Sequence, residues 1–248
     1  MKRMLSVLLT GAALLTLAAC KNSAAMDATT SATAQTQTAP AAPLDAKQPL
    51  VYSLVEQEDF RLPVINLDCP AAKEINKAIA ETQPEEYRTN DYAYMVNGNV
   101  LSLVTWSTDP WDGIYFTAYN LNIQTGAPIP NLELLQLAGF TEESYFENLR
   151  ERVTFYFDAF LEDDGSLPPY IEDLNYSQSR EIALSPARSG DRHGLSVDFP
   201  LFLNEENHLC AVLLLEAFGG ADGGYEFVFD TSRPTNEFGQ LWGMRTVD

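Results

Sequence analysis

Asp191, His193 and Ser196 lie within the stretch Gly190-Asp191-Arg192-His193-Gly194-Leu195-Ser196 and are the three residue types of a hydrolytic triad. A triad needs its members converged around a positioned nucleophile. Residues this close in an extended loop point in different directions, and the chain has no G-x-S-x-G elbow. With His193 and His208 its only histidines, and with no H-E-x-x-H and no C-x-x-C, a metal site is not expected. Gly219 to Gly224 lacks the Lys-Ser/Thr ending and the following helix of a phosphate loop, so it reads as a hairpin turn and no cofactor is expected. Glycoside hydrolysis needs two carboxylates facing one bond. Glu85-Glu86, Glu142-Glu143 and Glu205-Glu206 are sequence neighbours whose side chains diverge, so only carboxylates distant in sequence could act together. The run Glu162-Asp163-Asp164 reads as a solvated turn at a helix C-terminus. Calcium could relieve its charge, although the spacing is not that of an EF-hand loop.

Aromatic residues give the better lead. Trp106, Trp111, Tyr115 and Phe116 cluster around a loop read at Asp109-Pro110-Trp111-Asp112-Gly113. Such side chains stack on ligands and anchor interfaces, although they are more often core. Trp111, Asp112 and Tyr115 are the candidate binding residues, with Trp111 the most exposed by its neighbours Pro110 and Asp112-Gly113.

The elements that must position these residues begin after a distinctive N-terminus. Lys2 and Arg3 precede an apolar run, Met4 to Leu17, too short for a spanning helix of about 20 residues. Leu17-Ala18-Ala19-Cys20 resembles a bacterial lipobox. The resemblance implies a signal peptide over 1–19, and a mature chain beginning at Cys20 with lipid on its thiol. A single acyl chain anchors only marginally, whereas two or three hold a protein on a membrane. The expected location is therefore extracytoplasmic, on a bacterial membrane. Residues 20–48, rich in Ala, Thr, Ser, Gln and Pro, read as a disordered tether with a reach of about 30 Å.

From Pro49 to Asp248 the composition is that of one globular domain. Leu50–Gln57 and Phe60–Leu67 read as strands, and Pro70 opens a helix with Ala72, Ile75 and Ile79 on one face. Asp91–Val96 and Val100–Trp106 flank Asn97-Gly98-Asn99, a hairpin signal, and Ile114–Ile123 follows as a strand. Asn131–Leu137 is a short helical turn. Thr141 caps the longest helix, whose stripe is Phe146, Leu149, Val153, Phe157 and Phe160. Leu195–Leu203, Leu209–Ala217 and Tyr225–Phe229 return to strand. The expected class is α+β, a largely antiparallel sheet packed against one long and one or two short helices.

The net charge of −20 disfavours nucleic acid and attracts cations, and it also simply keeps an exported protein soluble. Once Cys20 is lipidated, Cys69 and Cys210 remain. In an oxidising compartment they can pair, closing a long loop worth at most about 4–5 kcal/mol. They can equally be two separately buried thiols, and spacing does not choose between these.

Pro63-Val64-Ile65 followed by Lys73-Glu74-Ile75-Asn76-Lys77-Ala78-Ile79 resembles the opening of the RsiV-like exported domain. That domain is found in lysozyme-sensing anti-sigma factors and ahead of some peptidoglycan deacetylase domains. Val100-Leu101-Ser102-Leu103, the turn Tyr119 to Gly126, and Leu132-Glu133-Leu134-Leu135 before a long helix extend the resemblance over about 50–160. Asn122 and Glu133 stand where the family often has Asp, and Asp109 to Gly113 replaces its Gly-Ala-His stretch. The resemblance implies the fold and a sensing or binding role. With no transmembrane, sigma-binding or deacetylase segment read in the chain, neither of those roles is expected. The expected function is a non-enzymatic binding or sensing module of the cell envelope. Its partner would be cell-wall glycan or a cationic, lysozyme-like protein. A cell-wall glycan hydrolase using dispersed carboxylates is the alternative.

The lipobox makes a direct prediction. Cys20→Ser should release the protein from membranes or leave its precursor uncut, read by fractionation and the mass of the processed chain. Unchanged processing and fractionation would remove the anchor.

Overall fold

The computed structural model describes residues 41–57, 60–81, 89–109, 113–169, 171, 173–187, 193–216, 224–232 and 245–246. The candidate residues Cys20, Trp111 and Asp112, together with Asp191 and the Gly219–Gly223 stretch, lie outside the described residues.

The fold is α+β, with more strand than helix. Strands β1 (Val51–Gln57), β2 (Phe60–Ile65), β3 (Thr89–Asn97), β4 (Val100–Asp109) and β5 (Gly113–Asn122) form a sheet in chain order. All of these pairings are antiparallel except β2 with β3, which are joined through helix α1 (Pro70–Ala80). A parallel pair requires such a crossover. β2 meets β3 only at Phe60 and Asn90, and the short strand β9 (Arg245–Thr246) takes the free edge of β3 further along, at Ala93 and Tyr94. The second sheet is β6 (Leu201–Leu203), β7 (Leu209–Glu216) and β8 (Gly224–Asp230), all antiparallel. Helices α2 (Asn131–Leu137), α3 (Glu142–Asp158) and α4 (Asp173–Leu184) separate the two sheets in sequence.

The period of two in each strand sorts the side chains into three apolar layers. On one face of the first sheet, Leu101, Leu103, Leu121 and Tyr92 pack with Ala72 and Ile79 of α1. On its other face, Val104 and Phe116 pack with Phe202, Cys210, Val212 and Val228 of the second sheet. The second sheet's remaining face, including Leu201, Leu203, Leu213 and Phe229, is covered by Leu149, Val153 and Phe157 of α3 and Tyr176 of α4. The order is helix, sheet, sheet, helices.

Buried polar groups join the two sheets. Ser102 Oγ donates to Asn120 Oδ1 (2.7 Å) and accepts from the Leu203 amide (3.0 Å), while Asn120 Nδ2 donates to the Leu201 carbonyl (2.7 Å). The Phe116 amide, on edge strand β5, donates to Glu226 Oε2 of β8 at 2.5 Å.

Several expectations are refined. Thr141 caps α3 in a capping box with Ser144, but the buried stripe runs through Tyr145, Leu149, Val153, Tyr156 and Phe157, with Phe146 and Phe160 only partly buried. The strand read at Leu195–Leu203 is reduced to Leu201–Leu203. Asn131 Nδ2 takes the carbonyls of Val197 and Phe199, and Pro200 has no amide to give a ladder. Helix α4 has no clear apolar period in the sequence, because its buried described residues are Tyr176, Ser179 and Ala183, with Leu184 only partly buried. Residues 41–50, most of them read as the end of the tether, are bonded to the body. Ala41 donates to Gln124 O, Ala42 O accepts from the Asp68 amide, and the Asn66 side chain takes Asp45 N, Asp45 O and Gln48 O.

Of the two states open to Cys69 and Cys210, the structure holds separate buried thiols. Cys69 lies in the α1 layer and Cys210 between the two sheets, so the first sheet stands between two buried thiols and no bridge joins them.

Cys69 also explains one glycine. Gly126 has φ +70°, and a Cβ there would lie 2.6 Å from Cys69 Cβ, whereas Gly98, at φ +57°, faces open space. Gly126→Ala should cost about 2–4 kcal/mol, combining left-handed strain with overpacking, and Gly98→Ala only the strain, about 1–2 kcal/mol. Urea denaturation of the two variants checks the difference, and equal costs would mean that the Cys69 contact yields freely.

Candidate functional site

Helix α1 covers the inner part of its sheet face and ends at Ala80. Beyond its last buried residue, Ile79, no described helix lies over the same face. Residues directly opposite in an antiparallel pair share a face, so Asn90, Ser107 and Tyr115 form one row across β3, β4 and β5. Thr105 and Thr117 stand in the next row, and Tyr119 in the row after it. These residues line a cleft of about 120 Å³, floored on its other side by Leu62, Pro63 and Ile79. Arg61 and Asp91 border it, as does the chain at Trp106, whose ring packs on the other face beside Phe116.

The cleft's electrostatics are close to neutral. Arg61 Nη2 donates to Asp91 Oδ2 at 2.6 Å, so the two charges oppose each other. Burial pushes the Tyr119 phenol above its ordinary value and keeps it a neutral hydroxyl. Tyr92, beneath the same sheet face, is likewise raised by burial, against the pull of the Ser53 hydroxyl and of Arg61; its oxygen lies 3.0 Å from Ser53 Oγ.

Asn90 is the informative member. Elsewhere the fold uses asparagine amides to satisfy the backbone of other segments. Asn76 takes both polar atoms of Ile65 at 2.8 and 2.9 Å, and Asn66, Asn120 and Asn131 act similarly. Asn90 is 7 % exposed, and its Nδ2, itself inaccessible, has no hydrogen-bond partner among the described residues. A buried amide donor left without a partner costs about 1–3 kcal/mol.

Of the candidate binding residues, Tyr115 reaches this cleft. Phe116, its neighbour, points to the opposite face, where its ring centroid lies 6.4 Å from that of Trp106 in the layer between the sheets. The aromatic cluster read in the sequence is therefore split by the pleat.

The other motifs have structural roles. Leu195 exchanges backbone bonds with Ser185 and Ala187, His193 bridges to Leu214 of β7, and Ser196 Oγ accepts from the Asp198 amide. The stretch thus ties the end of α4 to the second sheet. In the acidic run, the Ser166 hydroxyl and amide both bond Asp164 Oδ1 and hold its carboxyl below the usual range.

One constellation was not visible in the sequence. Glu206, His208 and Asp230 each bring a potential ligand atom within 4.8 Å of the others, a donor set that could hold a divalent cation. The hydrogen bonds present account for the arrangement as a closure of the β6–β7 turn. Asn204, fully buried, accepts from the Glu206 and His208 amides through Oδ1 and donates to Asp230 Oδ2 at 3.0 Å. His208 Nδ1 lies 3.3 Å from both Asp230 Oδ2 and Glu206 Oε2, and Asn207 adopts φ +62° within the turn. Ligands from a turn and from the far end of β8 have no local spacing that would reveal them.

This network should be worth more than its individual bonds. Asn204→Ala removes the group that neutralises two turn amides and leaves the buried Asp230 short of a donor. A loss of about 2–3 kcal/mol in urea denaturation is expected, and a loss under about 0.5 kcal/mol would show that the turn closes without it. No protein-family model matches the chain and no curated protein matches it, so the meaning of both sites rests on their own geometry.

Proposed function

We propose that the chain is a non-enzymatic binding module of the bacterial cell envelope, tethered to a membrane through lipid on Cys20, whose cleft beside Tyr115 holds cell-wall glycan. The observation that carries the reading is the lining. Aromatic rings and the hydroxyl-bearing residues Thr105, Ser107 and Thr117 line one small recess whose single charged pair, Arg61 and Asp91, is internally compensated. Sugars present apolar faces and many acceptors, and recognition sites of this kind combine aromatic surface with a few placed polar groups.

The lipobox and the RsiV-like resemblance support an envelope location and a sensing role. Against the hydrolase alternative, the described lining contains one carboxylate, Asp91, already paired with Arg61, whereas glycoside hydrolysis uses two. The charge of −20 favours a second reading, capture of a cationic, lysozyme-like protein.

Sedimentation of the full-length protein, kept in detergent, with purified cell-wall sacculi separates these readings. Binding that persists at 0.5 M salt (on the order of a 4 Å Debye length) and falls about tenfold in Tyr115→Ala is expected for glycan recognition. Release of soluble fragments from the sacculi would instead establish a hydrolase. Binding of a basic protein, but not of sacculi, lost at high salt and unaffected by Tyr115→Ala, would move the function to the acidic surface.

A further inference from the structure

We propose that Glu206, His208 and Asp230 form a site for one tetrahedral divalent cation, zinc, where the β6–β7 turn meets the end of β8. The site belongs to the second sheet and shares no residue with the cleft, so it stands or falls apart from the glycan reading.

Pleat and register bring the donors together. Cys210 and Asp230 stand opposite one another on β7 and β8 and therefore share a face. His208 precedes Cys210 by two residues, a step that returns to the same face. Glu206 supplies the third donor from the turn itself, and the three ligand atoms lie within 4.8 Å of one another.

The distances set this group apart from an ordinary hydrogen-bonded histidine. His208 Nδ1 lies 3.3 Å from Glu206 Oε2 and 3.3 Å from Asp230 Oδ2. Nδ1 carries at most one hydrogen, and a charge-assisted bond to a carboxylate measures about 2.7–2.9 Å. Two equal, longer separations around one nitrogen are the spacing of ligands about a common centre. A tetrahedral ion with bonds of about 2.0–2.2 Å holds its ligand atoms about 3.3–3.6 Å apart. Octahedral magnesium, with bonds of about 2.0–2.1 Å, would hold them about 2.9 Å apart, and calcium takes oxygen ligands. One imidazole with two carboxylates is a donor set suited to zinc.

The surrounding bonds hold the ligands in place. Asp230 is inaccessible to water, and both its oxygens are aimed: Oδ1 accepts from the Ser232 amide at 2.7 Å and Oδ2 from Asn204 Nδ2 at 3.0 Å. The same Asn204 side chain accepts the amides of Glu206 and His208. One buried residue thus fixes the backbone of two ligands and the carboxylate of the third, as outer bonds around metal ligands do. The side chains of Glu206 and His208 are 48 % and 31 % exposed, so an ion enters from solvent and keeps water in its fourth position. Bound there, it clips the turn to the end of β8.

The test is calorimetric titration of zinc into the full-length protein, kept in detergent and first stripped of metal with a chelator. One ion per chain is expected, with a Kd on the order of 1 μM or tighter that a large excess of magnesium or calcium leaves unchanged. Zinc should also raise the melting temperature. Glu206→Gln, at an exposed position, and His208→Gln should each weaken binding at least about tenfold and reduce the gain in melting temperature. His193→Gln, at the chain's other histidine, should leave both unchanged. Cobalt in place of zinc should give the intense visible absorption of a tetrahedral ion, without thiolate charge-transfer bands. No stoichiometric zinc binding by the wild type, or full affinity in folded Glu206→Gln and His208→Gln, overturns the inference. Displacement by magnesium or calcium, the weak spectrum of octahedral cobalt, or thiolate bands overturns it equally. Should neither variant fold, the wild-type stoichiometry, ion selectivity and cobalt spectrum decide alone.

Discussion

Two sheets stacked face to face can slide over one another unless something other than apolar contact pins them. Here the pin is the buried chain of hydrogen bonds from Ser102 and Asn120 to the backbone of β6, with the Phe116 amide held by Glu226. Each of these groups is nearly inaccessible to water. A slip of one residue would leave several of them unmade, at about 1–3 kcal/mol apiece. Hydrophobic burial between Val104, Phe116, Phe202 and Val212 supplies the attraction but has no register of its own. The polar joint supplies the register. It also shields an amide of edge strand β5, which would otherwise be open to pairing with another chain.

That joint has a consequence on the far side of the first sheet. Fixing Phe116 toward the second sheet fixes Tyr115 and Thr117 away from it, because neighbours on a strand point oppositely. The far face is then divided by the length of α1. Asn76 clamps the helix to Ile65, and its last buried residue is Ile79. Leu101, Leu103 and Tyr92 become core, while Thr105, Ser107, Tyr115, Thr117 and Tyr119 line a cleft. The cleft lies on the part of the sheet face beyond the 11 residues of α1.

The net negative charge and the cleft act over different distances. Long-range charge governs which molecules approach, and it favours cations while discouraging anions. Short-range complementarity in a neutral recess governs which neutral group stays.

Local chemistry was legible in the sequence wherever a few adjacent residues decide the outcome. Asn97-Gly98 makes the β3–β4 hairpin because Gly98 accepts φ +57°, and Thr141 starts α3 because its hydroxyl accepts the Ser144 amide. Asn131–Leu137 is a helix in both readings, and the α+β class follows from the same periodicities. Features built from distant residues were not legible. Helix α4 buries Tyr176, Ser179 and Ala183 with Leu184 partly buried, a mixed face whose burial depends on packing beside α3. Trp106 and Phe116 could be paired with Tyr115 in sequence, but pleat and register put them on opposite faces. Asn90 is one of many asparagines until three strands and the end of a helix close around it. Turns and caps depend on neighbours in the chain and are written there. Which polar atom is left without a partner depends on every segment that packs around it, and only the tertiary structure decides that.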